Sequence, residues 1–206
     1  MGPPGAGKGT QGELLASRFG IPRYSTGDIL RATRRNRSEL GREAQGYMDA
    51  GELVPDDVIL GLMTRVLRST DAVCGYLLDG FPRTVEQAQG LKGLLEGADQ
   101  QLDAVVNLSV DDAEILRRLS SRRVCEDCGA IVRPAAGTES CDDCGGRLLT
   151  RPDDRPETVR RRLEVYREQT EPVLGWYRES STAVLDIPGT GDVGQIQERI
   201  LNGLAS

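Results

Sequence analysis

Three groups of residues in this sequence could carry chemistry. The first is a glycine-rich loop, Gly2-Pro3-Pro4-Gly5-Ala6-Gly7-Lys8-Gly9-Thr10. In the spacing Gly-x-x-x-x-Gly-Lys, the glycines let backbone N–H groups approach phosphate oxygens. The helix that follows adds its dipole, and the lysine reaches the terminal phosphates. Gly9 stands where a serine or threonine is usual and Thr10 comes next, so the hydroxyl that helps hold a metal-nucleotide is missing or displaced by one. The bland alternative, an ordinary glycine-rich turn, fits poorly with the helix-forming run behind it.

The second group is arginine. Arg31, Arg83, Arg122, Arg151 and Arg162 each lie within or beside a short motif ("STGDILR", "LLDGFPRT", "RPDDRPETVRRRL"). Guanidinium binds phosphate oxygens as a planar fork and stays charged. Transfer of a phosphoryl group asks the protein mainly for alignment, exclusion of water and cations from several directions. Lys8 and these five arginines are therefore the catalytic candidates, whereas Arg34, Arg35 and Arg161 read as solvated surface. The chain has no histidine, which excludes histidine triads and imidazole metal ligands.

The third group is Cys125, Cys128, Cys141 and Cys144, two C-x-x-C knuckles twelve residues apart. Four thiolates suit a closed, tetrahedral, structural zinc site. Iron in a rubredoxin-like site is permitted by the same ligands, and a redox pair is disfavoured because two pairs occur together. A nucleic-acid-binding ribbon fails on charge, since Glu126, Asp127, Glu139, Asp142 and Asp143 outweigh Arg133 and Arg147. Cys74, beside a predicted strand, reads as a buried apolar residue.

These groups need elements to position them. The 206 residues are 38% apolar and 28% charged, ordinary for one globular domain with a small insert, and the net charge of −6 argues against broad binding to nucleic acid or anionic membranes. No apolar run approaches a membrane span and no basic-then-apolar leader is visible, so the expected location is cytoplasmic. "KGTQGELLASRFG" reads as a helix with Leu14, Leu15 and Phe19 on its inner face, stopped by Gly20. "STGDILRATRRN" starts with Ser25 ahead of Asp28, like a capping box, although Asp28 could itself be the cap. Helices are predicted at about 39–49 and 57–67. After them come strand "GYLLDG", helix "TVEQAQGLKGLLEG", strand "LDAVVNLSV" and helix "DDAEILRRLSSRR". A long helix interrupted near Pro172, a strand "TAVLDI" and a helix at 192–202 close the chain. Nearly all-apolar strands between helices predict an α/β fold, a parallel sheet covered by helices on both faces.

The strings "GPPGAGKGTQ", "STGDILR", "MDAGELVPD", "LLDGFPRT" and "RPDDRPETVRRRL", with the cysteine insert between the last two, resemble the adenylate kinase family in order and approximate spacing. Nearly the whole chain takes part, and the likeness is to the long form, whose lid carries a structural zinc; the twelve-residue knuckle separation is shorter than that family's. The resemblance implies a P-loop nucleoside monophosphate kinase fold with a zinc-ribbon lid. Its divisions would be core at 1–24, an AMP-binding helical segment at 25–54, core at 55–121, the lid at 122–154 and core at 155–206. It implies the reaction ATP + AMP ⇌ 2 ADP with magnesium, in a monomer whose partners are ATP and AMP or ADP, without nucleic acid or membrane. By resemblance, Gly5, Ala6, Gly7, Lys8, Gly9 and Thr10 bind ATP phosphates, with Arg118 on the adenine and Arg122 on the phosphates. Thr26, Arg31, Met48, Val54, Gly80, Arg83 and Gln87 form the AMP site, over which Arg151 and Arg162 close. Asp153 and Asp154 organise the closed lid, and Asp79 holds magnesium through water. A kinase for UMP or CMP is the near rival. A switch-type GTPase lacks its guanine-reading Asn-Lys-x-Asp segment.

One feature departs from that family. A P-loop is aimed by a strand ahead of it, which in the family lies mid-sheet, yet Met1 directly precedes Gly2. The expectation is an N-terminally truncated form of a protein with about five more strand residues, the usual strand length. The alternatives are that the other strands close the gap, or that the chain persists as a nucleotide binder with little activity.

Overall fold

A computed structural model describes residues 1–35, 39–68, 75–135 and 137–205, and within them all side chains except those of 34, 35, 39–41 and 43. Cys74 and the side chains of Arg34 and Arg35 lie outside the described residues. The chain runs α1 (Lys8–Phe19), β1 (Arg23–Ser25), α2 (Thr26–Arg35), α3 (Glu39–Ala50), α4 (Asp56–Arg68), β2 (Leu77–Asp79), α5 (Val85–Glu96), β3 (Ala104–Ser109) and α6 (Asp112–Ser121). Three short strands follow, β4 (Arg123–Cys125), β5 (Ile131–Val132) and β6 (Leu148–Leu149). A 3₁₀ turn at Pro152–Asp154 leads into α7 (Pro156–Val165), a π-turn at Tyr166–Thr170, α8 (Glu171–Arg178), β7 (Ala183–Pro188) and α9 (Val193–Leu204). The predicted interruption near Pro172 is that π-turn, which lets one long helix shift its face before Pro172 enters the first turn of α8.

Local signals set the helix ends. Ser25 Oγ accepts from the Asp28 amide at 3.3 Å at the start of α2. Thr84 and Asp111 cap α5 and α6, and Asp192 forms a full capping box with Gln195 on α9. Leu15 of α1 is buried as expected, but Leu14 and Phe19 are 41% and 51% exposed. Only the Leu15 side of the helix packs into the core it shares with Leu108, Ile187 and Ile200.

The parallel sheet is present as two separate pairs. β1 pairs with β2 from Arg23↔Leu77 to Ser25↔Asp79, and β3 pairs with β7 from Ala104↔Ala183 to Ser109↔Pro188. No described strand joins β2 to β3, so the remaining strands do not close the gap. A cavity of about 830 Å³ runs between them and continues towards the loop at Lys8. The small strands form an antiparallel sheet of order β5-β4-β6 that carries the four cysteines' segment. Among the described residues no helix is long and apolar enough to cross a membrane.

Candidate active site

The glycine-rich loop is held from behind by β3 and α6. At Gly2 the backbone has φ +127°, and a Cβ there would lie 2.4 Å from the Leu108 carbonyl oxygen, so only glycine allows the loop to pass this close. Arg118, which is buried, braces the loop: its Nη1 donates to Ala6 O (3.3 Å), its Nη2 to Gly189 O (2.8 Å) and its Nε to Glu114 (2.6 Å). Sequence reasoning placed Arg118 against a nucleotide base; here its donors are turned onto backbone beneath the loop. Lys8 Nζ donates to the carbonyls of Gly2 and Pro3, both at 2.7 Å. Thr10 is exposed on the first turn of α1.

Arginines from four separate segments meet in front of this loop. Burial pushes the Lys8 ammonium down to about 7; Arg83, Arg162 and Arg122 add to that against the pull of Asp79. Burial and then Arg162 lower Arg83 to about 10, and burial with Arg31 and Arg122 lowers Arg151 to about 10. Arg162 is lowered by burial, with Arg122 and Arg31 opposing Asp153 and Asp154. The Arg151 Nε is buried without a hydrogen-bond partner. Cations held this close in a poorly solvated cleft call for an anion of high charge, and a polyphosphate supplies it.

Carboxylates organise the cluster from outside. Asp154, buried, accepts from Arg122 Nε at 2.7 Å and from Arg162 Nη1 at 3.3 Å. Asp153 pairs with Arg162 at 3.0 Å; burial works to raise its carboxyl, but Arg162, Arg122 and their neighbours hold it below the usual range. The 3₁₀ turn thus ties the base of the cysteine segment to α7. Arg161, read as surface, makes exposed pairs with Glu52 (2.6 Å) and Glu164 (3.2 Å), the first bridging α7 to the end of the α2–α3 segment.

On the other wall, Thr26 Oγ1 and Arg83 Nε both donate to Gly80 O at 2.8 Å. Gly80 has φ +72°, and a Cβ there would lie 2.9 Å from Arg83 Nη2 and 3.2 Å from Thr26 Oγ1. Gln87, buried, accepts from the Arg83 amide (2.8 Å) and donates to Asp56 Oδ1 (2.7 Å), while Thr84 Oγ1 donates to Asp56 Oδ2 (2.8 Å). Val54 is buried and Met48 packs against the same core. Asp28 pairs with Arg31 (2.6 Å) and Arg23 (3.2 Å), so it steers cations and does not cap its helix. Two residues escaped the sequence reading. Asp56, on the first turn of α4, holds Gln87 across 31 residues. Arg23, on β1, has its Nη2 and Nε at 2.6 and 3.2 Å from Asp79 Oδ2. Both contacts fall on the same oxygen.

The four cysteine sulfurs lie within 4.8 Å of one another, with Cys125–Cys144 at 3.4 Å and Cys128–Cys141 at 3.8 Å. Sulfurs at the corners of a tetrahedron around zinc, each at about 2.3 Å from it, stand about 3.8 Å apart, so the cluster has the size of such a site. Backbone N–H groups of Cys128 and Asp127 point at the Cys125 sulfur, as thiolates require.

The lysine gives a direct measurement. A bound polyphosphate restores Lys8 towards the ordinary lysine range, so from pH about 7 upward the free side chain is mostly neutral and the bound one protonated. ATP binding is then expected to take up about one proton per site at pH 8.5, and to weaken as pH rises through this window. Calorimetry in two buffers of different ionisation enthalpy measures it. Equal proton uptake by the chain and its Lys8→Met variant would refute the assignment.

A phosphate-cradling loop at a helix start, faced by convergent arginines beside a parallel sheet, defines a P-loop phosphotransferase acting between nucleotides. A family model described as "Adenylate kinase" matches residues 1–182. Adenylate kinases of Caldicellulosiruptor saccharolyticus and Gemmatimonas aurantiaca are each 46% identical to the chain, over 99% of its length and 96% of theirs. That of Archaeoglobus fulgidus is 43% identical over 97% of the chain and 94% of the relative. The chain belongs to the adenylate kinase family, and its reaction class is reversible phosphoryl transfer, ATP + AMP = 2 ADP.

Proposed function

We propose that this chain performs that transfer with ATP phosphates on residues 5–10 and AMP between the α2–α3 segment and the wall at 80–87. Lys8, Arg83, Arg122, Arg151 and Arg162 neutralise the moving phosphoryl group. The observation that carries the reading is the set of mutually repelling cations, from loop, strand end, lid base and α7, that face one cleft. Arg31 lies within reach of the same field, and Arg31, Thr26, Met48, Val54, Gly80 and Gln87 are assigned to AMP. With its guanidinium satisfied, Arg118 holds the loop and contributes to ATP binding by position. The divisions of function follow the chain: AMP segment 25–54, lid 122–154, and core elsewhere.

Magnesium, when bound with ATP, draws charge from the phosphates and favours departure of the leaving oxygen. Asp79, at the carboxyl end of β2, would hold it through water, with Arg23 fixing the carboxylate on one side. In the lid, Cys125, Cys128, Cys141 and Cys144 would hold zinc in a closed structural site. Four thiolates kept free of disulfides suit a reducing compartment, in keeping with a cytoplasmic enzyme. The family resemblance favours a monomer.

The acceptor is tested by steady-state kinetics with ATP and each of AMP, CMP, UMP and GMP. AMP is expected to exceed the others in kcat/KM by roughly 100-fold, the discrimination open to a site that hydrogen-bonds one base and leaves groups unpaired with another. A preference for UMP or CMP would replace the AMP assignment.

A further inference from the structure

The Gln87 side chain is held so that its amide is kept from turning over. It is buried and lines the cavity together with Met48, Val54 and Arg83. Its Nε2 donates to Asp56 Oδ1 at 2.7 Å, and its Oε1 accepts from the Arg83 backbone N–H at 2.8 Å. A carboxylate offers acceptors only, and a backbone N–H can only donate. A turned amide would therefore set its oxygen against the Asp56 carboxylate and its NH2 against the Arg83 N–H. Thr84 completes the set: its hydroxyl gives its single hydrogen to Asp56 Oδ2 at 2.8 Å and takes the Gln87 backbone N–H at 3.1 Å. Both carboxylate oxygens are thus engaged, on the first turn of α4. After these bonds Gln87 keeps one side-chain hydrogen and one oxygen lone pair for a ligand.

We propose that Asp56 is a positioning residue that determines specificity: by locking the Gln87 amide in one orientation, it makes the acceptor site take a 6-aminopurine and reject a 6-oxopurine. The inference rests on the assignment of Gln87 to the base of AMP. A glutamine amide meets adenine as a matched pair, its oxygen taking a hydrogen of the 6-amino group and its nitrogen donating to a ring nitrogen. Inosine monophosphate (IMP) has nearly the size of AMP but carries oxygen in place of that amino group. In the same pose it brings two oxygens face to face. A free amide would turn over and donate to the new oxygen, whereas the locked one would have to give up both Asp56 and Arg83. Buried polar groups left unpaired cost far more than a missing contact, so a site of this kind discriminates strongly. Asp56 acts entirely through Gln87.

The test measures kcat/KM for AMP and for IMP with ATP as donor, and the Kd of each acceptor by calorimetry, in the unaltered chain and in Asp56→Ala, Asp56→Asn and Asp57→Ala. The unaltered chain is expected to favour AMP over IMP by roughly 100-fold. Asp56→Ala leaves the Arg83 N–H as the remaining anchor of the amide, and should lower that preference by roughly 10-fold, mostly through better binding of IMP. Asparagine fills the same space but can donate or accept, so Asp56→Asn should fall between the two. Asp57, the exposed acid on the same turn of α4, is the control for lost helix-start charge, and Asp57→Ala should leave the preference unchanged. Damage to the fold would lower activity with both nucleotides alike and leave their ratio where it was. An unchanged ratio in both Asp56 variants, or an equal fall in Asp57→Ala, overturns the proposal. An unaltered chain that prefers UMP or CMP to AMP would refute the AMP assignment itself, a failure distinct from an unchanged ratio in a chain that prefers AMP.

Discussion

Replacing Arg83 by lysine is expected to lower kcat/KM by roughly 100-fold, and replacement by alanine by roughly 1,000-fold or more, at 1.36 kcal/mol for each factor of ten. The reason lies in how the side chain is held. Its Nε is committed to Gly80 O and its backbone N–H to Gln87, which fixes the side chain at the wall of the cleft. Arg162 and Arg31 repel it there, and burial weakens its hydration. The anion that relieves this strain gains most when its charge is greatest, which is during transfer. Lysine keeps a charge but loses the fork and the bond to Gly80. Exposed Arg160, on α7 beside Arg161, is the control, and Arg160→Ala should change kcat/KM by less than about twofold. Similar losses in Arg83→Ala and Arg160→Ala would show that convergence on the loop does not determine function here.

Stripping metal from the lid is expected to unfold it. Elemental analysis should find about one zinc per chain, and a strong chelator should lower the melting temperature and open residues 122–154 to protease. Among the described residues of this segment Cys125 and Cys141 are the buried hydrophobic side chains, while Ile131 and Leu149 are 50% and 37% exposed. β5 and β6 have two residues each, so neither apolar contact nor ladder bonds can hold the segment. Metal binding contributes roughly 10–16 kcal/mol in small zinc peptides at neutral pH, enough to order a lid of this size. Arg122 and Arg151 flank this segment, and Arg122 is tied to Asp154, so under the proposed assignment activity should fall with the metal. A purified chain without metal, melting alike with and without chelator, would refute the four-thiolate site. Iron in its place would show as visible colour.

Much of the site was legible in the sequence because its parts are local. Gly2 to Thr10 sit on consecutive residues whose spacing fixes a loop and a helix start. The cysteine knuckles fix the approach of sulfur pairs, and Ser25, Thr84, Asp111 and Asp192 mark helix ends through bonds to amides three residues on. Largely apolar runs at 77–78 and 104–108 announced parallel strands, and several motifs in order announced the family. What tertiary structure decided is which partners long-range packing brings together. Arg118 carries no local sign that its guanidinium will brace Ala6 and Gly189, residues 112 and 71 positions away. Arg23 meets Asp79 across 56 residues, and Asp56 meets Gln87 across 31. Phe19 shares a helical face with Leu15 but finds no core to enter. Whether β2 and β3 would close on one another also lay beyond the sequence. β1 and β2 pack on α1 whereas β7 packs on α8 and α9, so each pair is anchored by its own helices, and the cavity lies between the pairs.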